Sequence, residues 1–216
     1  QEVDSLRAQV TMLKSEVGQM ESNLDAKISS VKADQIAAGR LNGEDLTLPV
    51  SEYKPIHKVK AYQAYSWFND KQVAQMNAGL EATKKNQTVD WDRSYRPLEH
   101  QYNNLDVVSH PELMDNVEWQ VQTFRGDVTA YEQADVGIMI YDPAQPDDGV
   151  AWEAASLRTL GKPVVLVIPD DNETPLNLMI AHGVTDIITV NELATYDFNN
   201  INLGTYHGKI NVIEII

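Results

Sequence analysis

The 216-residue chain contains no cysteine, which excludes disulfides, a thiol nucleophile and thiolate metal sites while leaving the redox compartment open. Positive charge is scarce as well: 17 Lys and Arg stand against 32 Asp and Glu, a formal net charge of -15. No segment gathers a dense Lys/Arg cluster, and such a chain does not hold polyanions by displacing counterions. Nucleic acid polymers and anionic membranes are therefore not expected partners. No apolar run approaches the ~20 residues of a membrane helix and no signal segment is visible, so the expected location is cytoplasmic. The first residue is Gln1 rather than Met, the expectation for a chain that has lost a segment upstream. G-x-S-x-G, P-loop and G-x-G-x-x-G motifs are missing, which removes the usual support for serine hydrolases and dinucleotide enzymes. The five histidines show no metal-ligand spacing.

What is present falls into three regions. In residues 1–38, Val3, Leu6, Val10, Leu13, Val17, Met20 and Leu24 recur at alternating spacings of three and four, and Val31 extends one seam. This is a heptad repeat with Val mostly at a and Leu or Met at d, the combination that favours a parallel two-stranded coiled coil. Glu2 and Arg7 would pair between strands, Glu16 and Glu21 would oppose each other, and the d positions turn polar at Lys27 and Asp34. The competing reading is an amphipathic helix packed on its own domain, but a strict a/d stripe is narrower than a core-facing one. Residues 39–57, "GRLNGEDLTLPVSEYKPIH", carry Asn-Gly, two prolines and no period, and read as a linker.

Residues 58–216 form the third region, in which strands alternate with helices. "KVKAYQAYSWF" (58–68) reads as a strand, followed by a helix with Asn69 or Asp70 as its cap. Ser109, Pro111 and Glu112 open a long helix running to about Gln133. "DVGIMIYDP" (135–143), counted as the third strand, and "KPVVLVIPD" (162–170) are continuous apolar runs of the kind buried on both faces of a parallel sheet, and "DIITV" (186–190) supplies a last strand. The alternation predicts a doubly wound, flavodoxin-like α/β domain. Ligands bind such sheets at the carboxyl ends of the strands. Glu153, in "DDGVAWEAASL", falls there, at or near the first turn of a helix whose dipole favours the ionised carboxylate. An isolated acid in that place could do electrostatic work and nothing more.

Its company argues otherwise. "AYQAYSWFNDKQ", "DRSYRPLEHQY", "HPEL", "DVGIMIYDP", "DDGVAWEA", "GKPVVLVIPD" and "PLNLM", in that order, resemble the nucleoside 2-deoxyribosyltransferases, particularly the lactobacillal type that exchanges bases between deoxynucleosides. The resemblance spans roughly residues 58–208. It implies that Glu153 is the nucleophile, Tyr62 orients it, and Asp127 and Asp147 handle the base. It further implies that Phe68 and Gln101 line the base pocket and that Asn177 and Met179 complete the sugar site of a neighbouring subunit in a homo-oligomer. Substrates would be deoxyribonucleosides and free nucleobases, with no metal and no cofactor.

The chemistry accounts for these residue types. Cleavage of a glycosidic bond passes through an oxocarbenium-like state, which a carboxylate stabilises and can trap as a glycosyl ester. The leaving base needs a proton or hydrogen bond, which a carboxyl group of raised pKa supplies. Taken singly, Tyr62 could simply pack, Asp147 shares an acid-rich turn with Asp148, and Asp127 sits mid-helix among polar neighbours where a solvated face serves nearly as well. Deoxyribosyl transfer is the leading reading; an N-glycoside hydrolase and a silent nucleoside-binding domain on a coiled-coil scaffold are the alternatives. Departures from the family's pattern are the bulk of Gln63 and Tyr65 in "QAYS", the residues "VIEII" beyond Asn211, where the family's terminal carboxylate helps build the site, and the N-terminal extension.

Overall fold

The computed structural model describes residues 2–37 and 57–213; the linker assigned to 39–57 lies almost wholly outside the described residues, as do 214–216. Two compact units, Gln1–Pro55 and Ile56–Ile216, are described separately. The first contributes one helix, α1 (Glu2–Ala37), whose side chains are described over 5–7 and 9–27 and are exposed throughout. Among the described residues no helix is long and apolar enough to cross a membrane.

The second unit is built on four parallel strands, β1 (Ala61–Tyr65), β2 (Val136–Ile140), β3 (Val164–Ile168) and β4 (Asp186–Thr189), in the order β1-β2-β3-β4. The run expected as the third strand is thus the second regular one. The missing strand's place beside β1 is held by single bridges, Val59 with Val89 and Tyr62 with Tyr95. Tyr95 N donates to Ala61 O at 2.8 Å and Gln63 N to Tyr95 O at 3.0 Å. The segment between these bridges, "DWDRS", is rich in turn-forming residues, so it touches the edge at two points and does not form a ladder. With that segment counted, the order is the flavodoxin-type one.

Helices cover both faces. On one, Ala61, Tyr65, Ile138, Ile140, Val165 and Val167 pack beneath α2 (Asp70–Lys85) and α6 (Val190–Leu193). On the other, Tyr62, Ala64, Met139, Val164 and Leu166 pack beneath α3 (Val117–Gln133), α4 (Asp148–Thr159) and α5 (Leu178–Gly183). Two covered faces are why β2 and β3 read as unbroken apolar runs, each fully buried side chain contributing about 1.5–3 kcal/mol. α4 lies close on β2 because Gly137 leaves room: a Cβ there would meet Leu157 Cδ1 at 2.6 Å.

The helix expected from Ser109 to Gln133 is two elements, a 3-10 helix over Pro111–Asp115 and then α3. The break has a local cause, since the Asn116 side chain accepts from Trp119 N at 3.0 Å and caps a new helix. Asn69 does the same for α2, accepting from Gln72 N at 3.1 Å.

Candidate active site

At the carboxyl edge of the sheet a cavity of about 180 Å³ opens between the end of β1, the Pro97–Val107 loops, α3 and the start of α4. Glu153, Asp127, Asp147, Phe68 and Gln101 all line it. Tyr62 lies behind them on β1, fully buried, and its hydroxyl donates to Glu153 Oε1 at 2.6 Å. The residues assigned to nucleophile, orienting phenol, base-handling acids and base pocket are therefore brought together.

Glu153 does not sit in the first turn of its helix. The helix is capped by Asp147, whose carboxylate accepts from Val150 N at 2.8 Å, so Glu153 lies six residues beyond the cap, in the second turn. The helix dipole fades within the first turn. Burial dominates instead: it pushes the Glu153 carboxyl up to about 7, with the charges of Asp127 and Asp147 adding to the shift and the Tyr62 hydrogen bond opposing it. The expectation of a dipole-stabilised carboxylate is corrected to that of a half-buried acid held near neutrality.

A second tyrosine–acid pair stands beside the first. Tyr95, placed by its edge bridge to β1, stacks on Tyr62 with ring centroids 5.6 Å apart and planes 10° apart. Its hydroxyl donates to Asp127 Oδ1 at 3.0 Å. Asp127 faces the cavity rather than forming a solvated surface, and burial raises its carboxyl to about 6 against the lowering effect of Tyr95. Burial first, then the neighbouring carboxylates, pushes both phenols far up, so each stays a proton donor.

The walls suit a flat ring. Trp67 and Phe68 pack together at 4.8 Å, and Leu98, Val107 and Trp119 close the apolar side. Gln101 is held from both ends, its Nε2 donating to Leu98 O at 3.2 Å and its Oε1 accepting from Val107 N at 2.8 Å.

Asn177 and Met179 are not brought to this cavity. Asn177 caps α5 and borders a second cavity with Tyr141, Asp147 and Asp148, while Met179 is 74% exposed. The stretch beyond Asn211 runs beside that second cavity: Leu176 N donates to Asn211 O at 2.8 Å, Ile213 N to Leu176 O at 3.0 Å, and Ile213 lines the cavity wall. Sequence reasoning missed Tyr95 and Trp119 as site residues. Nothing local marks Tyr95; its role depends on the edge bridge that sets its ring against Tyr62.

A carboxylate oriented by a phenol, a second carboxyl group of raised pKa and an apolar slot for a ring suit chemistry at a glycosidic bond, within an α/β enzyme domain. Comparison with known proteins makes the class specific. The family model for nucleoside 2-deoxyribosyltransferase matches residues 61–198. A nucleoside deoxyribosyltransferase of Lactobacillus johnsonii is 36% identical over 146 residues, 67% of this chain and 97% of the relative. That of Lactobacillus leichmannii is 34% identical over 155 residues, 71% and 98% respectively. A solved 2-deoxyribosyltransferase of the psychrotolerant bacterium Bacillus psychrosaccharolyticus aligns with a TM-score of 0.53 at 26% identity, over 68% of this chain and 99% of that one. The chain belongs to the nucleoside 2-deoxyribosyltransferase family, a family of enzymes.

Proposed function

We propose that the domain transfers the 2-deoxyribosyl group from one nucleobase to another through a glycosyl ester on Glu153, with net retention. The observation that carries this reading is the 2.6 Å hydrogen bond from Tyr62 to Glu153 Oε1 at the edge of a cavity that Asp127 also lines. With Oε1 held by the phenol, Oε2 is the oxygen free to attack C1′. As the C1′–N bond breaks, its electron pair goes to the base, which takes a proton from the Asp127 carboxyl group, while Oε2 bonds to C1′. An incoming base then attacks C1′ from the original face, giving up its proton to Asp127, and the ester carboxylate leaves. Trp67 and Phe68 hold the base flat, Gln101 borders it, and Asp147 closes the wall where the base meets the sugar.

The reactive form needs Glu153 ionised and Asp127 protonated. With the two groups at about 7 and about 6, they titrate as an interacting pair whose dominant singly protonated form carries the proton on Glu153, so the reactive form is its minor tautomer, most populated between those two values.

Asn177 and Met179, exposed and outside the cavity of their own chain, would complete the sugar site of a neighbouring subunit, which makes the working enzyme a homo-oligomer. α1 would add a parallel coiled coil to that assembly. Exchange of bases between deoxynucleosides would serve salvage, and a cytoplasmic location would suit that role.

Incubation with deoxyinosine and adenine tests the reading. The expected result is matched release of hypoxanthine and formation of deoxyadenosine. Hypoxanthine without transfer either to adenine or to an oxo-substituted acceptor such as thymine would assign the hydrolase alternative, and release of no base would overturn both.

A further inference from the structure

Three tyrosines surround the cavity, and two have spent their protons: Tyr62 on Glu153 and Tyr95 on Asp127. Tyr65 has not. It is 7% exposed and lines the cavity with Asp127, Glu153 and Gln101. Its hydroxyl oxygen accepts from Leu98 N at 3.3 Å, and no acceptor for its own proton is found among the described residues. Burial raises the phenol to about 12, so the proton stays on at any working pH. A phenol proton that no protein group accepts is available to a ligand that presents an acceptor. Gln101 adds a second donor. Its oxygen is engaged by Val107 N and one amide hydrogen by Leu98 O, which leaves one N–H unspent.

We propose that Tyr65 determines base specificity, its hydroxyl donating to a carbonyl oxygen on the base, so that the cavity favours oxo-substituted over amino-substituted bases. The inference rests on the reading of this cavity as the base site. Hypoxanthine and adenine share a ring system but differ at the 6-position, one presenting an acceptor and the other an amino donor. Because the acceptor side of the Tyr65 oxygen is occupied by Leu98 N, an amino group meets a donor and both go unpaired. Sites built around a specific hydrogen bond reject the analogue that lacks it far better than apolar pockets reject a missing methylene.

The test is calorimetric binding of free hypoxanthine and free adenine to the full-length wild type and to Tyr65→Phe, which keeps the ring in the wall. The wild type should bind hypoxanthine at least ~10-fold tighter, and the variant should lose that preference, mostly through weaker hypoxanthine binding. The ratio between the two bases does not depend on how much protein is folded, so the loss of an acceptor for Leu98 N does not confuse it. Equal binding by the wild type, a preference that survives in Tyr65→Phe, equal weakening of both bases, or no binding of either base overturns the proposal. Deoxyribosyl transfer is followed on the same samples. A base preference set by Tyr65 in a protein that transfers no deoxyribose would leave the Tyr65 contact standing and sink the functional reading beneath it.

Discussion

Leu6, Val10, Leu13, Val17, Met20 and Leu24 of α1 are each between 47% and 62% exposed, whereas every side chain of β1, β2 and β3 is buried. Both regions are periodic in sequence, but the periods are satisfied in different ways. The α/β unit buries its strands between its own helices and carries an acid-lined cavity at the sheet edge. α1 carries an apolar seam whose described side chains are exposed, and in the proposed assembly a second helix of the same kind would cover it. The proposed reading gives chemistry to one region and association to the other, and each half can be broken separately.

The largest effect is expected from Glu153→Gln. Loss of the nucleophile should lower kcat/KM by at least ~10³-fold, ~4 kcal/mol in the barrier, while association through α1 is unchanged. A variant within ~10-fold of wild type would remove Glu153 from the mechanism.

The association half of the contrast is tested on a chain that has no cysteine of its own. Leu13→Cys places a thiol at d, where parallel in-register helices bring equivalent positions within disulfide reach. Oxidation should yield cross-linked dimers from Leu13→Cys and few from Ser15→Cys, which lies on the outer face, with transfer activity retained in both. Equal cross-linking of the two would rule out the seam.

A third expectation concerns pH. The Glu153 carboxyl is raised from 4.5 to about 7 in the folded protein, so between those values the native state holds a proton that the unfolded chain has released. Stability therefore falls as pH rises through that window, with a cost on the order of 3 kcal/mol fully present above about pH 7 and absent below about 4.5. Glu153→Gln keeps an acceptor for Tyr62 and carries no charge, so its melting temperature should exceed that of the wild type at pH 8 and match it at pH 4.5. The same gain at both values would mean that ionisation is not the source. A residue that weakens the fold at the pH where it works fits a functional acid better than a structural one.

The smallest effect is expected on the other face of the sheet. Gln63 is fully buried on β1, and among the described residues neither its amide nitrogen nor its amide oxygen has a hydrogen-bond partner. Gln63→Met, close in volume and apolar, should raise stability by about 1 kcal/mol in denaturant titration, because it removes a desolvation cost that nothing offsets. A loss of stability would indicate a partner for that amide in the working enzyme.

Much of this was legible in the sequence. The four strands stand where apolar runs or β-rich residues announced them, because both faces of the sheet are covered and the side chains have no polar alternation to obscure the signal. Glu153, Asp127, Asp147, Phe68 and Gln101, the residues singled out through the resemblance, line one cavity, and their roles there are the proposal. What could not be read were features set by tertiary placement. The break at Asn116 depends on a cap that competes with continuing the helix, and the position of Glu153 within α4 depends on Asp147 serving as that helix's cap. Tyr95 is the clearest case. It reaches the site through a single bridge to an edge strand some thirty residues away, and two stacked rings then link the acids they hold.

The claim on which all of this turns is that Glu153 bonds to the sugar. A deoxynucleoside fluorinated at C2′, whose electron-withdrawing substituent destabilises the oxocarbenium-like state and slows turnover, gives the most direct test when followed by peptide mass spectrometry. The account predicts the added mass of one fluorinated pentosyl group on the peptide containing Glu153, released when an acceptor base is supplied. A label on any other residue, or turnover of the slow substrate with inversion and no labelled peptide, would contradict it.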